Sequence, residues 1–209
     1  MLSQRQAARH LQGDLAMIRL RIPWCTGTFQ TSSRCTAKMT GNPMRTPEDL
    51  QRFIDENGIE AQLLREIGDT PTVPAAAAAL GVEPDRILKT LLFLAQKPGD
   101  RDALPAPFVV ISHGERRVEK RPLADLHGVG IKRIKLASPD VVLQMLGYPA
   151  GGVPPFGHCT AVQVLLDSSI ADLDPGFVYA GGGDDRTMLQ LTVEELTRVV
   201  QPQLIAMSV

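Results

Sequence analysis

The sequence predicts one mixed α/β domain behind an irregular N-terminal extension, and three observations lead there. Hydroxyl residues stand where a helix cap belongs at Thr46, Thr72 and Thr192. Apolar runs of strand length recur at 87–95, 108–112, 162–166, 177–180 and 187–191. These helices and strands are interleaved irregularly, which favours a mixed sheet over a strict parallel repeat.

The elements follow from the N-terminal side. Thr46-Pro47-Glu48-Asp49 combines a hydroxyl cap, proline at the first helical position and acids at the positive end of the helix dipole. Leu50, Phe53 and Ile54 give that helix one apolar face, and Asn57-Gly58 stops it. Residues 59–67 read as a strand. Thr72 caps an alanine-rich helix through Leu80, closed by Gly81, and strands follow at 87–95 and 108–112. A short helix is expected near Leu123, and 131–136 alternates apolar and basic residues as a half-buried strand does. Ser138-Pro139-Asp140 caps a helix ending at Gly147. After the loop 147–158 come three strands, and Thr192-Val193-Glu194-Glu195 opens the last helix with a capping-box pattern, presenting Leu196, Val199 and Val200.

Composition narrows the function classes. The chain has 209 residues, 44% hydrophobic and 22% charged, ordinary values for a soluble globular protein. A domain of about 150 residues is stable without disulfides or a structural metal. No run of 18 apolar residues occurs, so no membrane span is expected. Cys25, Cys35 and Cys159 form neither a disulfide framework nor a zinc spacing, which points to reduced thiols in a cytoplasmic compartment and to no metal. Residues 1–45 hold seven Lys/Arg against one acid, leaving 15 basic and 22 acidic side chains in the remainder. So acidic a domain cannot hold nucleic acid by bulk attraction, and an RNA contact needs a local basic patch. The extension 1–45 is read as a disordered tail, as an upstream stretch before a true start at Met39 or Met44, or as a targeting segment; in each case the domain is expected over 46–205.

Three segments could carry chemistry. The first is Lys89 in the apolar strand 87–95, because a buried ammonium must reach water, a carboxylate or an anionic ligand; its neutral reading is a snorkelling surface lysine. The second is Gly147-Tyr148-Pro149-Ala150-Gly151-Gly152-Val153-Pro154-Pro155-Phe156-Gly157-His158. Four glycines and three prolines make this loop able to approach a ligand closely yet stiff. It can offer N–H groups to a developing oxyanion, or it is a tight turn packed by Tyr148 and Phe156. The third is Ala180-Gly181-Gly182-Gly183-Asp184-Asp185-Arg186, a hairpin connection without the ending of a phosphate-binding P-loop. His158 is a candidate for orienting substrate or handling a proton. It does not form a ready dyad with Cys159, since neighbours on a strand face opposite ways. His113 and His127 read as surface residues. Arg116, Arg117, Lys120 and Arg121, with Lys132, Arg133 and Lys135, are the local basic patches on which an RNA backbone could land.

Taken in order, Leu80-Gly81-Val82, Ile87-Leu88-Lys89-Thr90-Leu91, Ser138-Pro139, the loop Gly151-Gly152-Val153-Pro154-Pro155-Phe156-Gly157, Val164-Leu165-Leu166-Asp167 and Val178-Tyr179-Ala180-Gly181-Gly182 resemble the YbaK-type aminoacyl-tRNA deacylases, relatives of the editing domain of bacterial prolyl-tRNA synthetases. The resemblance covers about 46–202. It implies a mixed β-sheet or barrel flanked by helices, and hydrolysis of the ester joining an amino acid to the terminal ribose of tRNA. Lys89 and the loop glycines Gly151 and Gly152 with Pro155 then map to the catalytic positions. Thr90, Tyr148, Val153, Phe156, His158, Gly181 and Gly182 map around the substrate. The partner implied is the acceptor end of a mischarged tRNA, with a synthetase as a second candidate partner, and no cofactor is implied. Ala180 and Met188 stand where some members carry serine and aspartate, which bears on the amino acid accepted.

With no evident nucleophile and base pair, positioning rather than covalent catalysis is expected. Lacking a synthetase domain, the chain is expected to act in trans. A silent binder of aminoacyl-tRNA or the tRNA end is the rival from another class, and a hydrolase using Cys159 is a third reading.

Overall fold

A computed structural model describes residues 44–65, 72–97 and 104–207. The extension through residue 43, with Cys25, Cys35 and the targeting reading, lies outside the described residues.

Helix α1 (Pro47–Glu56) opens on a reciprocal cap: the Thr46 hydroxyl accepts from the Asp49 amide at 3.4 Å, and the Asp49 carboxylate takes the Thr46 N–H at 3.0 Å. Strand β1 (Ala61–Leu64) starts later than expected, and the end of the expected 59–67 strand beyond Arg65 lies outside the described residues. Thr72 caps α2 (Val73–Leu80), and β2 (Leu88–Ala95) and β3 (Ala106–His113) form the long antiparallel pair, Leu88 opposite His113 and Ala95 opposite Ala106. Helix α3 (Lys120–His127) follows.

The strand expected over 131–136 is only half there. Ile131–Arg133 is a single 3-10 turn, closed by Arg133 N–H donating to the Gly130 carbonyl at 2.8 Å, and only β4 (Ile134–Leu136) pairs, with Phe93–Ala95. Ser138 precedes α4 (Pro139–Leu146) without its hydroxyl capping it. Strand β5 (Gln163–Asp167), the four-residue α5 (Ser168–Ala171), β6 (Phe177–Gly181), β7 (Met188–Thr192), α6 (Val193–Val200) and β8 (Gln203–Ile205) complete the described elements. At α6 the Thr192 hydroxyl accepts from the Glu195 amide (3.1 Å), but the box is not reciprocated. The Glu195 carboxylate instead accepts from the Glu60 amide (2.7 Å) and from Arg198 (2.6 Å), tying α6 to the entry of β1.

The strands form a five-stranded mixed sheet, β4-β2-β3-β5-β8, and a three-stranded antiparallel one, β1-β7-β6. They meet at a bridge between Ile87 and Tyr179, so the expected sheet or barrel takes the form of two sheets. Strand β3 is buried on both faces. Val109 and Ile111 join Val178, Leu189, Leu191, Leu50 and Ile54 in the main core, while Phe108 and Val110 pack with Leu123 and Ala124 of α3. That is why its sequence is a continuous apolar run rather than an alternation. Arg45, assigned by composition to the extension, belongs to the fold: its N–H donates to the Gly147 carbonyl at 2.7 Å. No helix among the described residues is long and apolar enough to cross a membrane.

Candidate functional site

Strand β4 covers only Phe93–Ala95, so on that side the first half of β2 has no partner strand among the described residues. A cleft of about 200 Å³ runs along this stretch, lined by Ile87 to Leu91. Its other walls are Thr72, Val73 and Ala76 of α2, Gly151 and Val153 of the loop, Gly181 at the end of β6 and Met188 at the start of β7. Lys89, Thr90, Gly151, Val153 and Gly181, read separately from the sequence, are thus brought to one place. The α2 wall carries no chemical signature, and only the fold shows that it belongs here, whereas Met188 is a position that the resemblance had tied to the amino acid accepted.

Lys89 is half-buried, and its Nζ donates to the carbonyls of Gly114 (3.1 Å) and Arg116 (2.6 Å). Burial holds its pKa below the ordinary lysine value. An ammonium has three N–H groups, so one remains for a ligand after these two bonds. Beside it, the Thr90 hydroxyl oxygen is buried with no hydrogen-bond partner among the described residues. Such a group costs stability unless a ligand satisfies it.

The two glycine-rich segments meet backbone to backbone. The Gly152 amide donates to the Pro149 carbonyl (3.1 Å), closing a turn in which Gly151 has φ +101°, a conformation that disfavours any side chain. The Gly183 amide donates to the Gly152 carbonyl at 2.9 Å. A Cβ at Gly152 would stand 2.5 Å from the Asp184 carbonyl oxygen, and one at Gly181 would stand 2.6 Å from that of Val153. The Gly152 amide is therefore committed within the loop rather than offered to a ligand. No hydrogen bond among the described residues uses the amides of Gly151 or Val153.

Several residues expected around the substrate lie elsewhere. Tyr148 is fully buried beneath the loop, and burial raises its phenol pKa. Phe156 stacks on Phe53 of α1 with ring centroids 5.9 Å apart, and Pro155 is buried alongside. Gly182 packs on the Thr187 carbonyl. His158 donates from Nε2 to the Pro154 carbonyl (2.8 Å), and burial brings its pKa down to about 4, so the ring is a neutral staple of the loop. These side chains brace the loop from behind because the stiff turn directs them into the core. The Cys159 thiol accepts from Arg45 Nε (3.1 Å), while Arg45 Nη1 donates to the Gly157 carbonyl (2.9 Å); thiol and imidazole have separate partners. The reading of His113 and His127 as surface residues is corrected too: His113 is fully buried on the central strand and His127 lies against Phe108, centroids 4.2 Å apart.

The basic residues divide. Arg116 pairs with Asp85, Arg121 with Asp125 at 3.1 Å, and Arg133 reaches the Lys97 carbonyl at 3.4 Å. Arg117, Lys120, Lys132 and Lys135 have no ion pair among the described residues. Arg116 and Arg117 adjoin the cleft, since the Arg116 carbonyl holds Lys89. Lys132 and Arg133 lead into β4 at Ile134, which pairs with Ala95, six residues past Lys89 and about 20 Å along an extended strand.

Residues 68–199 match the family model described as aminoacyl-tRNA editing domain. The chain is 29% identical over 126 residues to the uncharacterized protein YwhH of Bacillus subtilis (strain 168), covering 60% of this chain and 73% of that one. It is 26% identical over 172 residues to the proline–tRNA ligase of Nitratidesulfovibrio vulgaris (strain DP4), covering 81% of this chain but 26% of the ligase, so it spans about a quarter of that relative. The crystal structure of a candidate trans-editing enzyme for prolyl tRNA synthetase superposes with TM-score 0.68 at 25% identity, over 78% of this chain and 96% of that one. With the model matching well over half of its length, the chain belongs to the aminoacyl-tRNA editing domain family.

Proposed function

We propose that this domain is a trans-acting hydrolase that cleaves the ester of mischarged tRNA. The observation that carries the reading is the single cleft lined by Lys89, Thr90, Gly151, Val153 and Gly181. Water attacks the aminoacyl carbonyl carbon, the bond to the ribose oxygen breaks, and that oxygen leaves with a proton, giving free amino acid and uncharged tRNA. The amides of Gly151 and Val153 face the developing oxyanion, with no reorganisation needed in so rigid a loop. The remaining N–H of Lys89 holds the ester end, while the Thr90 side chain faces the other side of β2 with Leu88 and Leu92. Among the described residues no carboxylate or imidazole lines the cleft, and the attacking water is oriented by the substrate's own groups and by confinement. At about 200 Å³ the cleft suits a small aminoacyl group, smaller than the roughly 300–1,000 Å³ of sites that take drug-sized ligands, so the adenosine rests at the mouth. Clearance of this kind matters because a synthetase pocket separates amino acids differing by one methylene by only about 1–3 kcal/mol. The similarity to proline–tRNA ligases supports their tRNA as the first substrate to try and such a ligase as partner.

Deacylation of a panel of mischarged tRNAs, with Lys89→Ala as control, tests this. Turnover on at least one tRNA that collapses in the variant supports it. Tight binding without turnover on any of them would replace it with the rival binding module, and activity lost in Cys159→Ala but kept in Lys89→Ala would replace it with the thiol hydrolase.

A further inference from the structure

The network around His113 does not line the cleft, yet it ends on the atoms that hold Lys89. The two carbonyls accepting from the Lys89 ammonium belong to the turn just after β3, Gly114 and Arg116. One residue pins that turn at both ends. The backbone carbonyl of Asp85 accepts from His113 Nδ1 at 2.8 Å, and its carboxylate pairs with the Arg116 guanidinium. Gly114 is wedged between: its amide donates to the Ile87 carbonyl (2.7 Å), and a Cβ there would stand 2.6 Å from Val73 Cγ2. Ile87 and Val73 are both on the cleft wall. From the other side, His113 Nε2 lies 2.9 Å from Ser169 Oγ, which lies 2.9 Å from Asp167 Oδ1.

Serine, histidine and aspartate in a row invite comparison with a nucleophilic triad, but the connectivity excludes one. In a triad the carboxylate holds the far nitrogen of the imidazole; here it holds the hydroxyl, and the far nitrogen meets a backbone carbonyl. The ring is also fully buried. Asp167 is buried, and its second oxygen has no partner among the described residues. A buried polar chain with an orphan carboxylate oxygen destabilises the fold relative to apolar packing. Its presence is explained by what it holds in place.

We propose that His113, Ser169 and Asp167, with Asp85, are positioning residues: a buried brace that fixes the 114–116 turn and, through its two carbonyls, sets where the Lys89 ammonium stands in the cleft. The consequence for turnover rests on the hydrolase reading above; the consequence for Lys89 itself does not.

The experiment therefore has two readouts on the full chain. Lysines are acetylated with a limiting amount of an N-hydroxysuccinimide ester, and modification of Lys89 is compared by mass spectrometry with that of the exposed Lys132 and Lys135. Relative to these, Lys89 is acetylated several-fold faster in Ser169→Ala than in the wild type, and Ser169→Thr, which keeps the hydroxyl, returns it to the wild-type level. Turnover on a mischarged tRNA falls about tenfold or more in Ser169→Ala, but not further when Lys89 is already alanine. Should Ser169→Ala not fold, Asp85→Asn, which weakens the Arg116 end of the brace, is read the same way. Unchanged Lys89 acetylation in a folded variant overturns the proposal, and so does an equal loss of turnover in both Lys89 backgrounds. A wild type inactive on every mischarged tRNA would defeat the hydrolase reading, while acetylation would still decide the brace.

Discussion

Gly181 lies so close to the Gly152–Val153 peptide that a Cβ on it would stand 2.6 Å from the Val153 carbonyl oxygen and 2.7 Å from the Gly152 carbonyl carbon. Two glycine-rich segments nearly thirty residues apart are one structure, and the cleft wall exists because neither carries a side chain there. Gly181→Ala must push the loop away. It is expected to lower stability by roughly 1–3 kcal/mol, read by urea unfolding, and to reduce turnover more than the lost stability explains.

Thr90→Val separates function from folding. The Thr90 hydroxyl oxygen is buried and unpartnered, so an isosteric apolar side chain keeps or raises stability, by on the order of 1 kcal/mol. Because Thr90 faces the opposite side of β2 from Lys89, with Leu88 and Leu92, turnover changes by less than about twofold. Thermal melts and deacylation rates on the same preparations check both.

His158 makes stability depend on pH. Its folded pKa is about 4 against 6.5 for the free ring, so between these values the unfolded chain binds a proton that the fold refuses. Stability therefore declines as pH falls from 6.5 towards 4, by up to roughly 3 kcal/mol from this group alone. His158→Gln, which still donates to Pro154 but does not titrate, loses less stability across that window when melting is followed against pH.

Charge reversal or removal sorts the basic residues by their partners. Arg117 and Lys120 have no ion pair among the described residues, whereas Arg121 is held by Asp125. Replacing Arg117 and Lys120 by alanine raises KM for tRNA with little change in kcat, and makes the salt dependence of binding shallower by about 1 to 2 in log–log slope. Arg121→Ala does less.

What was legible in the chain is what local pattern determines. Lysine in an apolar strand, a loop of alternating stiff and permissive residues, and hydroxyl caps at Thr46 and Thr72 each announce themselves within a dozen residues, and the mixed α/β class follows from them. Pattern does not say which way a buried side chain turns. The composition of the 147–158 loop shows that it is tight, but not that Tyr148, Phe156 and His158 would face the core while only Gly151 and Val153 face the cleft. His113 reads as a surface residue in the sequence because its burial comes from β3 being the middle strand, a property of pairings distant in sequence. Strand β8 and helix α5 are three and four residues long, too short to show a period. Composition groups Arg45 with its N-terminal neighbours, although its backbone and side chain both reach the loop.

Editing in this cleft requires the aminoacyl end to enter between β2 and the glycine loop. The direct test is an amide NMR titration with adenosine carrying an aminoacyl group through a hydrolysis-resistant 3′-amide. The amides of Lys89, Thr90, Gly151, Val153 and Gly181 should shift together in one saturable process, and this should be absent in Gly181→Ala. If those five stay silent while resonances elsewhere titrate, the aminoacyl end binds at another surface and the cleft is not the editing site.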